Sequence, residues 1–242
     1  DYLIKIPDKF ALIERIRYFR ENTSPYRSGK ALPATVVLPH RRTPTQELHL
    51  SRQPTRPIED LSRDPVIALA PLALVEKRAV PILGGIPLLC RIGQGAMGTV
   101  YYGVHPRLNV EVAVKVLHPN LAIGQPELID RFFQEAQLAA QVHSPFLVGV
   151  LDVNQEANLF YLVMEYVAGT TAAHCLVDAL KVRKQGLDER EALQIALAAG
   201  RGMAAAHQRG VVHRDIKPDN ILIPYGADGR SPAFGEAKLA DL

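Results

Sequence analysis

The stretch from His213 to Asn220 constrains this 242-residue chain more than any other. It contains His-Arg-Asp-Ile-Lys-Pro-Asp-Asn and continues directly into the apolar segment Ile221–Ile223. Its proline restricts the backbone and disfavours helix at the preceding lysine, so an ordered loop beside a short strand is predicted. Within it, Asp215, Lys217 and Asn220 stand at positions 0, +2 and +5. A carboxylate can accept a proton from a hydroxyl, a lysine can offset phosphate charge and an asparagine oxygen can hold Mg²⁺, so the set suits phosphoryl transfer.

A glycine-rich string precedes this loop by more than a hundred residues. The strand-like segment Ile86–Ile92 leads into Gly-Gln-Gly-Ala-Met-Gly-Thr-Val at residues 93–100. Glycines let a backbone approach phosphates closely, but dinucleotide-binding folds use a similar string and follow it with a helix. Here residues Val100–Val104 continue as a strand. The pattern therefore favours a glycine-rich hairpin over a dinucleotide site.

The next strand, Glu111–Leu117, alternates around Lys115. A lysine in an apolar strand is costly unless it is paired, so a carboxylate partner is expected nearby. A helix is predicted over residues 126–142, with a proline near its start. We expect one face of that helix to turn inward, with Glu135 as the partner of Lys115. The residues of this face are Leu128, Phe132, Glu135 and Ala139.

The remaining pattern predicts two more strands, Phe146–Val153 and Leu159–Met164, followed by helices. One helix is expected around Ala172–Lys184, and another begins at Asp188 with a capping-box pattern and ends near Gly210. The apolar face expected for the second helix comprises Leu193, Ala196, Ala199 or Gly200, Met203 and Ala206.

Two short strands close the chain, Ile221–Ile223 and Lys238–Ala240, and Asp241 follows them. Taken together, the loop, the glycine string, the Lys115 strand and Asp241-Leu242 resemble the serine/threonine protein kinases, especially the bacterial ones of eukaryotic type. The resemblance covers roughly residues 84–242. It implies an α+β, two-lobed fold: a five-stranded antiparallel N-lobe sheet with one helix and a hinge over 84–168, then the incomplete start of a helical C-lobe over 169–242.

The resemblance also implies ATP and Mg²⁺ as cofactors and a role for each site residue. Asp215 is the expected base, Lys217 stabilises transferring charge, and Lys115, positioned by Glu135, holds the α- and β-phosphates. Asn220 and Asp241 are the expected metal ligands. The residues expected to contact ATP are Ile92, Gly93, Gln94, Gly95, Ala96, Met97, Gly98, Thr99, Val100, Ala113, Lys115, Met164, Glu165, Val167 and Leu222. Glu165 and Val167 belong to the hinge, whose backbone would meet the adenine edge.

The first third of the chain has a different character. Residues 1–80 hold 14 Lys and Arg against 9 Asp and Glu, whereas residues 81–242 hold 14 against 16, so the basic character belongs to the leading segment. Residues 1–21 predict an amphipathic helix, and residues 22–80 predict a basic, Pro/Arg/Thr-rich linker that is largely disordered. No apolar run is long enough to span a membrane, and two distant cysteines suggest reduced thiols. We expect a cytoplasmic protein with protein substrates and no nucleic-acid partner. A membrane anchor elsewhere in a longer parent and dimerisation of the parent are left open.

No counterpart of the kinase activation segment, or of the later C-lobe helices, follows Leu242 in this sequence. We therefore expect the 242-residue chain by itself to be poorly stable and inactive. Two alternatives to a protein kinase stay open. A pseudokinase or scaffold would keep the fold without the chemistry, and a small-molecule phosphotransferase of kinase-like fold would act on another substrate.

Overall fold

The computed structural model describes residues 47–50, 52–122 and 126–242. The chain divides into two compact units. The first contains the residues up to Ala136 together with Leu151–Met164, and the second contains Gln137–Val150 and Glu165–Leu242. The helix predicted over residues 1–21 lies outside the described residues, as does the segment 22–46. Within the described ranges, no helix is long and apolar enough to cross a bilayer.

The first unit is built on a seven-stranded sheet. Its elements are β1 (Leu72–Val75), β2 (Arg78–Leu83), β3 (Ile86–Gln94), β4 (Gly98–His105), β5 (Val110–Leu117), α1 (Pro119–Ala122), most of α2 (Pro126–Gln141), β6 (Val150–Glu156) and β7 (Leu159–Glu165). The strand order is β1-β2-β3-β4-β5-β7-β6, and consecutive strands from β1 to β5 pair antiparallel. The predicted count of five strands is too low, because β1 and β2 precede the five predicted ones.

Strand β5 has one face in the hydrophobic core of the first unit and the other face turned away from that core. Val112, Val114 and Val116 are buried in the main hydrophobic cluster. The alternate residues Ala113 and Lys115 face the other side of the sheet. Each β5 residue has a direct partner on β4, and Lys115 lies opposite Val100. Residues that face each other in an antiparallel pair share one face, so Val100, Ala113 and Lys115 are neighbours there.

Residues 52–83 pack onto this sheet, which corrects the prediction of a largely disordered linker for this part of the chain. Strands β1 and β2 form a hairpin with a two-residue turn at Glu76 and Lys77, whose φ angles are 47° and 62°. Such turns usually carry glycine or asparagine, so this one gives no signal in the sequence. The buried core residues that precede the hairpin are Leu61, Ile67 and Ala70.

Helix α2 forms where it is predicted, but its buried face is rotated by one residue. Phe133 packs edge-on against Phe160 of β7, with ring centroids 5.9 Å apart. The predicted inward face is not the buried one, since Glu135 is exposed and Leu128 and Phe132 are only partly buried, although all three line a cavity with Lys115. This ring contact places the Phe133 side of the helix against the sheet. The buried residues of α2 are Ile129, Phe133, Ala136 and Ala140.

The second unit combines two helices with a small sheet. Its elements are β8 (Gly169–Thr171), α3 (Ala172–Arg183), α4 (Glu189–His207), a 3₁₀ turn (Pro218–Asn220), β9 (Ile221–Pro224), a second 3₁₀ turn (Phe234–Glu236) and β10 (Lys238–Leu239). The predicted pairing of β9 with β10 is confirmed, and β8 adds a third strand beside β9. The strand predicted from Phe146 begins only at Val150, because the preceding residues pair with Leu239 instead.

Helix α4 begins as predicted and packs along its small residues. Asp188 caps it, and Glu191 closes the capping box. The predicted apolar face is wrong for Leu193 and Ala196, which are exposed. Gly202 explains the difference, because the helix approaches the backbone at Phe146 so closely that only glycine fits there. The buried residues are Ile195, Ala198, Ala199, Gly202 and Ala206, in one cluster with β9 and β10.

Candidate active site

The glycine-rich string forms a tight hairpin between β3 and β4. The amide of Gly95 donates to the carbonyl oxygen of Gly98 over 2.9 Å. A β-carbon at Gly98 would collide with the carbonyl oxygen of Val116, so packing requires glycine there. At Gly93 and Gly95 the nearest atoms to such a carbon are 3.7 and 3.9 Å away, an ordinary distance. Packing does not require glycine at these two positions, and their bare backbone leaves room for a close ligand.

The other predicted residues of the hairpin differ in exposure. Gln94, Ala96 and Met97 are exposed, and Ile92 and Val100 are partly buried. The side chain of Thr99 is engaged within the unit. It is buried, and its hydroxyl lies 3.1 Å from Nε2 of His118.

Lys115 and Glu135 come together at one small cavity of the first unit. This cavity has a volume of about 10 Å³, and Leu128 and Phe132 of α2 also line it. Lys115 is partly buried, whereas Glu135 is exposed. The structure thus brings the two residues to one place, and an ion pair between them stays a prediction. Ala113 and Met164, two predicted adenine contacts, are buried.

In the second unit, the loop residues converge on the Asp215 carboxylate. The Nζ of Lys217 donates to Oδ2 of Asp215 over 2.7 Å. The Nδ2 of Asn220 donates to the same oxygen over 3.1 Å and to the Asp215 carbonyl oxygen over 2.9 Å. The turn Pro218–Asn220 makes this possible, because it folds Asn220 back over the loop. With Nδ2 so engaged, the amide oxygen of Asn220 is turned away from Asp215.

These contacts keep the loop charged. The hydrogen bond from Lys217 lowers the pKa of Asp215, and the bond from Asn220 adds to this effect. The hydrogen bond to Asp215 raises the pKa of Lys217, and the charges of Asp219 and Asp241 raise it further. Asp215 is therefore a carboxylate and Lys217 an ammonium at neutral pH.

Main-chain hydrogen bonds tie this loop to the residue before Asp241. The Nε2 of the buried His213 donates to the carbonyl oxygen of Ala240 over 2.8 Å, and the Ala240 amide donates to the carbonyl oxygen of Asn220 over 2.8 Å. The Asp215 amide donates to the carbonyl oxygen of His213 over 2.9 Å and lies 3.3 Å from Nδ1 of the His213 ring. His213 thus fixes both Asp215 and the approach to Asp241. Sequence reasoning did not assign it a role, although it begins the loop motif.

Two residues of this site have a left-handed backbone. The φ angles of Arg214 and Asp241 are 62° and 58°. Non-glycine residues adopt this region rarely and at some cost, and such residues cluster at functional sites. The bonds made by His213 and Ala240, which flank these two positions, hold the backbone there.

The predicted hinge begins at an ion pair that the sequence did not indicate. Lys238 of β10 lies 2.9 and 3.1 Å from the two carboxylate oxygens of Glu165. The amide of Glu165 donates to the carbonyl oxygen of Gly149 over 2.8 Å. Val167 and Leu222, the other predicted contacts in this unit, are partly buried.

Comparison with known proteins agrees with this geometry. Residues 88–242 match the family model of the protein kinase domain. A probable serine/threonine-protein kinase of Bifidobacterium longum, pknA2, is 40% identical over 162 residues, which are 66% of this chain and 21% of that protein. The serine/threonine-protein kinase PrkC of Bacillus subtilis is 38% identical over 164 residues, which are 68% of this chain and 24% of that protein. The crystal structure of the Mycobacterium tuberculosis PknI kinase domain matches with a TM-score of 0.55 and 30% identity, over 66% of this chain and 60% of that one.

The fold and the charged loop are those of a protein kinase domain. With the family match covering more than half of its residues, the chain belongs to the protein kinase family. The predicted kinase-like α+β fold is confirmed. The chain spans less than a quarter of the length of the two curated relatives described above.

Proposed function

We propose that this chain is part of a serine/threonine kinase that transfers the γ-phosphoryl group of ATP to hydroxyls of protein substrates. One observation carries the proposal. Lys217 and Asn220 both hydrogen-bond to the carboxylate of Asp215, which is exposed on the loop. A carboxylate fixed by two donors keeps one orientation and stays ionised, as a group that accepts a proton from an attacking hydroxyl must.

The metal ligands of the proposal fit the chemistry of magnesium. Mg²⁺ prefers oxygen ligands and is commonly held by one or two protein groups together with phosphates and water. Asn220 offers an amide oxygen and Asp241 a carboxylate, and the bond from the Ala240 amide to the Asn220 carbonyl keeps them neighbours. Among the residues that the structure describes, no group of three or more His, Cys, Asp or Glu side chains forms a metal site by itself. When bound, Mg²⁺ would neutralise charge on the β- and γ-phosphates.

Each residue of the set then has one task. Asp215 orients the substrate hydroxyl and accepts its proton, and Lys217 stabilises the charge on the transferring group. Lys115 holds the α- and β-phosphates, and the backbone of residues 93–98 covers them. His213 and Glu165 are positioning residues. His213 positions Asp215 and Asp241, and Glu165 fixes the start of the hinge.

The test is a phosphorylation assay on the full-length protein that carries these residues, with Mg-ATP and a generic protein substrate. Asp215→Asn keeps the size and a hydrogen-bonding side chain but removes the base. We expect it to lower the rate by about 10²- to 10⁴-fold. Asp178→Asn on α3 is the matched control, because it removes an exposed carboxylate whose ion-pair partner is His174 of the same helix and not a residue of the loop. Its rate should equal that of the wild type.

Three outcomes would contradict the proposal. Equal activity of the wild type and Asp215→Asn would remove Asp215 from the mechanism. No activity in a folded wild type that binds Mg-ATP would instead favour a scaffold. Phosphorylation of a small alcohol without phosphorylation of proteins would favour the small-molecule alternative.

A further inference from the structure

Residues 52–60, here called the N-terminal strap, wrap around one edge of the first unit's sheet. At one end, Arg52 lies 3.3 Å from a carboxylate oxygen of Glu111. At the other, the amide of Glu59 donates to the carbonyl oxygen of Leu89 over 2.7 Å, and the Glu59 carboxylate accepts from the Arg91 amide over 3.2 Å. Strand β2 pairs with β3 only at Ile86 and Pro87, and the strap binds the edge of β3 beyond these two residues.

The first half of the strap lies on the face of the sheet that carries Lys115. Glu111, Ala113 and Lys115 alternate along β5 and so point to one side, and Tyr102 lies directly opposite Ala113. The Thr55 amide lies 3.0 Å from the hydroxyl of Tyr102 and 3.1 Å from Oε1 of Glu111. Thr55 precedes residue 88, where the match to the family model begins, whereas Tyr102 and Glu111 lie within the match.

Thr55 is the chemically reactive residue of this contact. It is exposed, it lies outside any helix or strand, and its hydroxyl donates to Oε1 of Glu111. Burial raises the pKa of Glu111, but the hydrogen bonds from Thr55 and Tyr102 and the charge of Arg52 together lower it below its ordinary value. Glu111 is thus a carboxylate at neutral pH, and the Thr55 hydroxyl needs its proton to bind it.

We propose that Thr55 is a phosphorylation site and that a phosphate on it releases residues 52–56 from the Lys115 face of the sheet. The donor is ATP, and the proposal rests on the proposed kinase activity of a second copy of the protein. In the transfer, the Thr55 oxygen forms a bond to the γ-phosphorus while the bond from that phosphorus to the β,γ-bridging oxygen breaks. ADP leaves, and the hydroxyl proton passes to the base of the enzyme copy.

Phosphorylation would release the strap for two reasons: Thr55 loses the hydroxyl proton that it donates to Glu111, and the phosphate adds negative charge beside that carboxylate. The phosphorylated oxygen has no proton to give to Glu111, and a group with nearly two negative charges would face that carboxylate. The phosphate would also draw Arg52, the cation that now lies against Glu111. Each change weakens a contact that holds the strap.

Two measurements test the proposal on the full-length protein. The protein is incubated with Mg-ATP and a generic protein substrate, and the phosphorylated residues of both are mapped. Thr55→Val, which lacks the hydroxyl, is the negative control. Amide hydrogen exchange is then compared between Thr55→Glu and Ser62→Glu. Ser62 is the matched control, since it is exposed in the same segment and its amide bonds to Asp60, not to Glu111.

We expect phosphate on Thr55 in the wild type, and at least tenfold faster exchange of the residue 55 amide in Thr55→Glu than in the wild type. The Ala70 amide, which donates to Ile67 at the core, should be unchanged, and Ser62→Glu should match the wild type. Adding Glu111→Gln to Thr55→Glu should restore slow exchange, because the repelling charge is gone. Phosphate on the generic substrate but none on Thr55, or unchanged exchange in Thr55→Glu, would overturn the proposal alone. No phosphate on either would count against the proposed function.

Discussion

Gly202→Ala tests the closest backbone contact of helix α4. A β-carbon at this position would lie 2.6 Å from the carbonyl oxygen of Phe146 and 3.2 Å from Cδ2 of Leu147. Contacts below about 3.0 Å are not tolerated, so the helix or the Phe146 backbone must move by several tenths of an ångström. Overpacking of this kind costs about 1–3 kcal/mol, and the better helix propensity of alanine returns at most about 1 kcal/mol. The net expectation is a loss of about 1–2 kcal/mol.

Gly200→Ala supplies the control within the same helix. No atom lies within 4 Å of a β-carbon at Gly200, so only the propensity gain applies there. We expect this variant to be more stable than the wild type by about 0.5–1 kcal/mol. Urea unfolding followed by circular dichroism measures both changes, and the two variants should move the midpoint in opposite directions. A Gly202→Ala protein as stable as Gly200→Ala would refute the contact.

The same variant should also affect the site. The carbonyl oxygen of Phe146 accepts the amide of Leu239 over 2.8 Å, and Leu239 precedes Asp241 by two residues. A shift of that oxygen is therefore passed to the end of β10. We expect Gly202→Ala to lose phosphorylation activity at temperatures where it is still folded, whereas Gly200→Ala keeps it.

Two further predictions concern single side chains. In Lys217→Met, the Asp215 carboxyl loses the hydrogen bond that most lowers its pKa. Since Asp215 must be ionised to accept a proton, the acid limb of the pH profile of kcat/KM should move to higher pH than in the wild type. An unmoved limb would contradict the assignment of Asp215 as base. In Tyr101→Phe, the buried hydroxyl that donates to Oδ2 of Asp64 over 2.9 Å is removed, so urea unfolding should show a loss of about 1 kcal/mol, and an unchanged midpoint would show that this bond does not hold the segment.

The sequence indicated the grouping of the loop residues Asp215, Lys217 and Asn220 better than it indicated the buried faces of the helices. The spacing of Asp215, Lys217 and Asn220 within one short loop limits how far apart they can be, and a turn that begins with proline brings them together. Helix α2 shows where this fails. Leu128 and Phe132 on one side and Ile129 and Phe133 on the other form equally apolar stripes, and only packing against Phe160 of β7 decides between them.

Contacts between residues distant in sequence lay beyond sequence reasoning. Lys238 and Glu165 are separated by 73 positions, and nothing in either segment indicates that the two meet. Thr55 and Glu111 are 56 positions apart, and the segment around Thr55 has the composition of a linker. Composition reports the average tendency of a segment to bury apolar surface. Here a few well-placed residues between 61 and 70 are enough to fold it onto a sheet that already exists.

Residues that precede the family match help to form the core of the first unit. The family match begins at residue 88, yet Leu83 and Ile86 lie in the same buried cluster as Ile67 and Val114. The hydroxyl of Tyr101, a β4 residue within the match, is bonded to Asp64 outside it. Burial of that hydroxyl, together with its bond to Asp64, raises the pKa of Tyr101, so the hydroxyl remains a donor throughout the physiological range. The residues before 88 therefore complete the core of the first unit, and the strap they carry gives that unit a contact that the kinase match does not include.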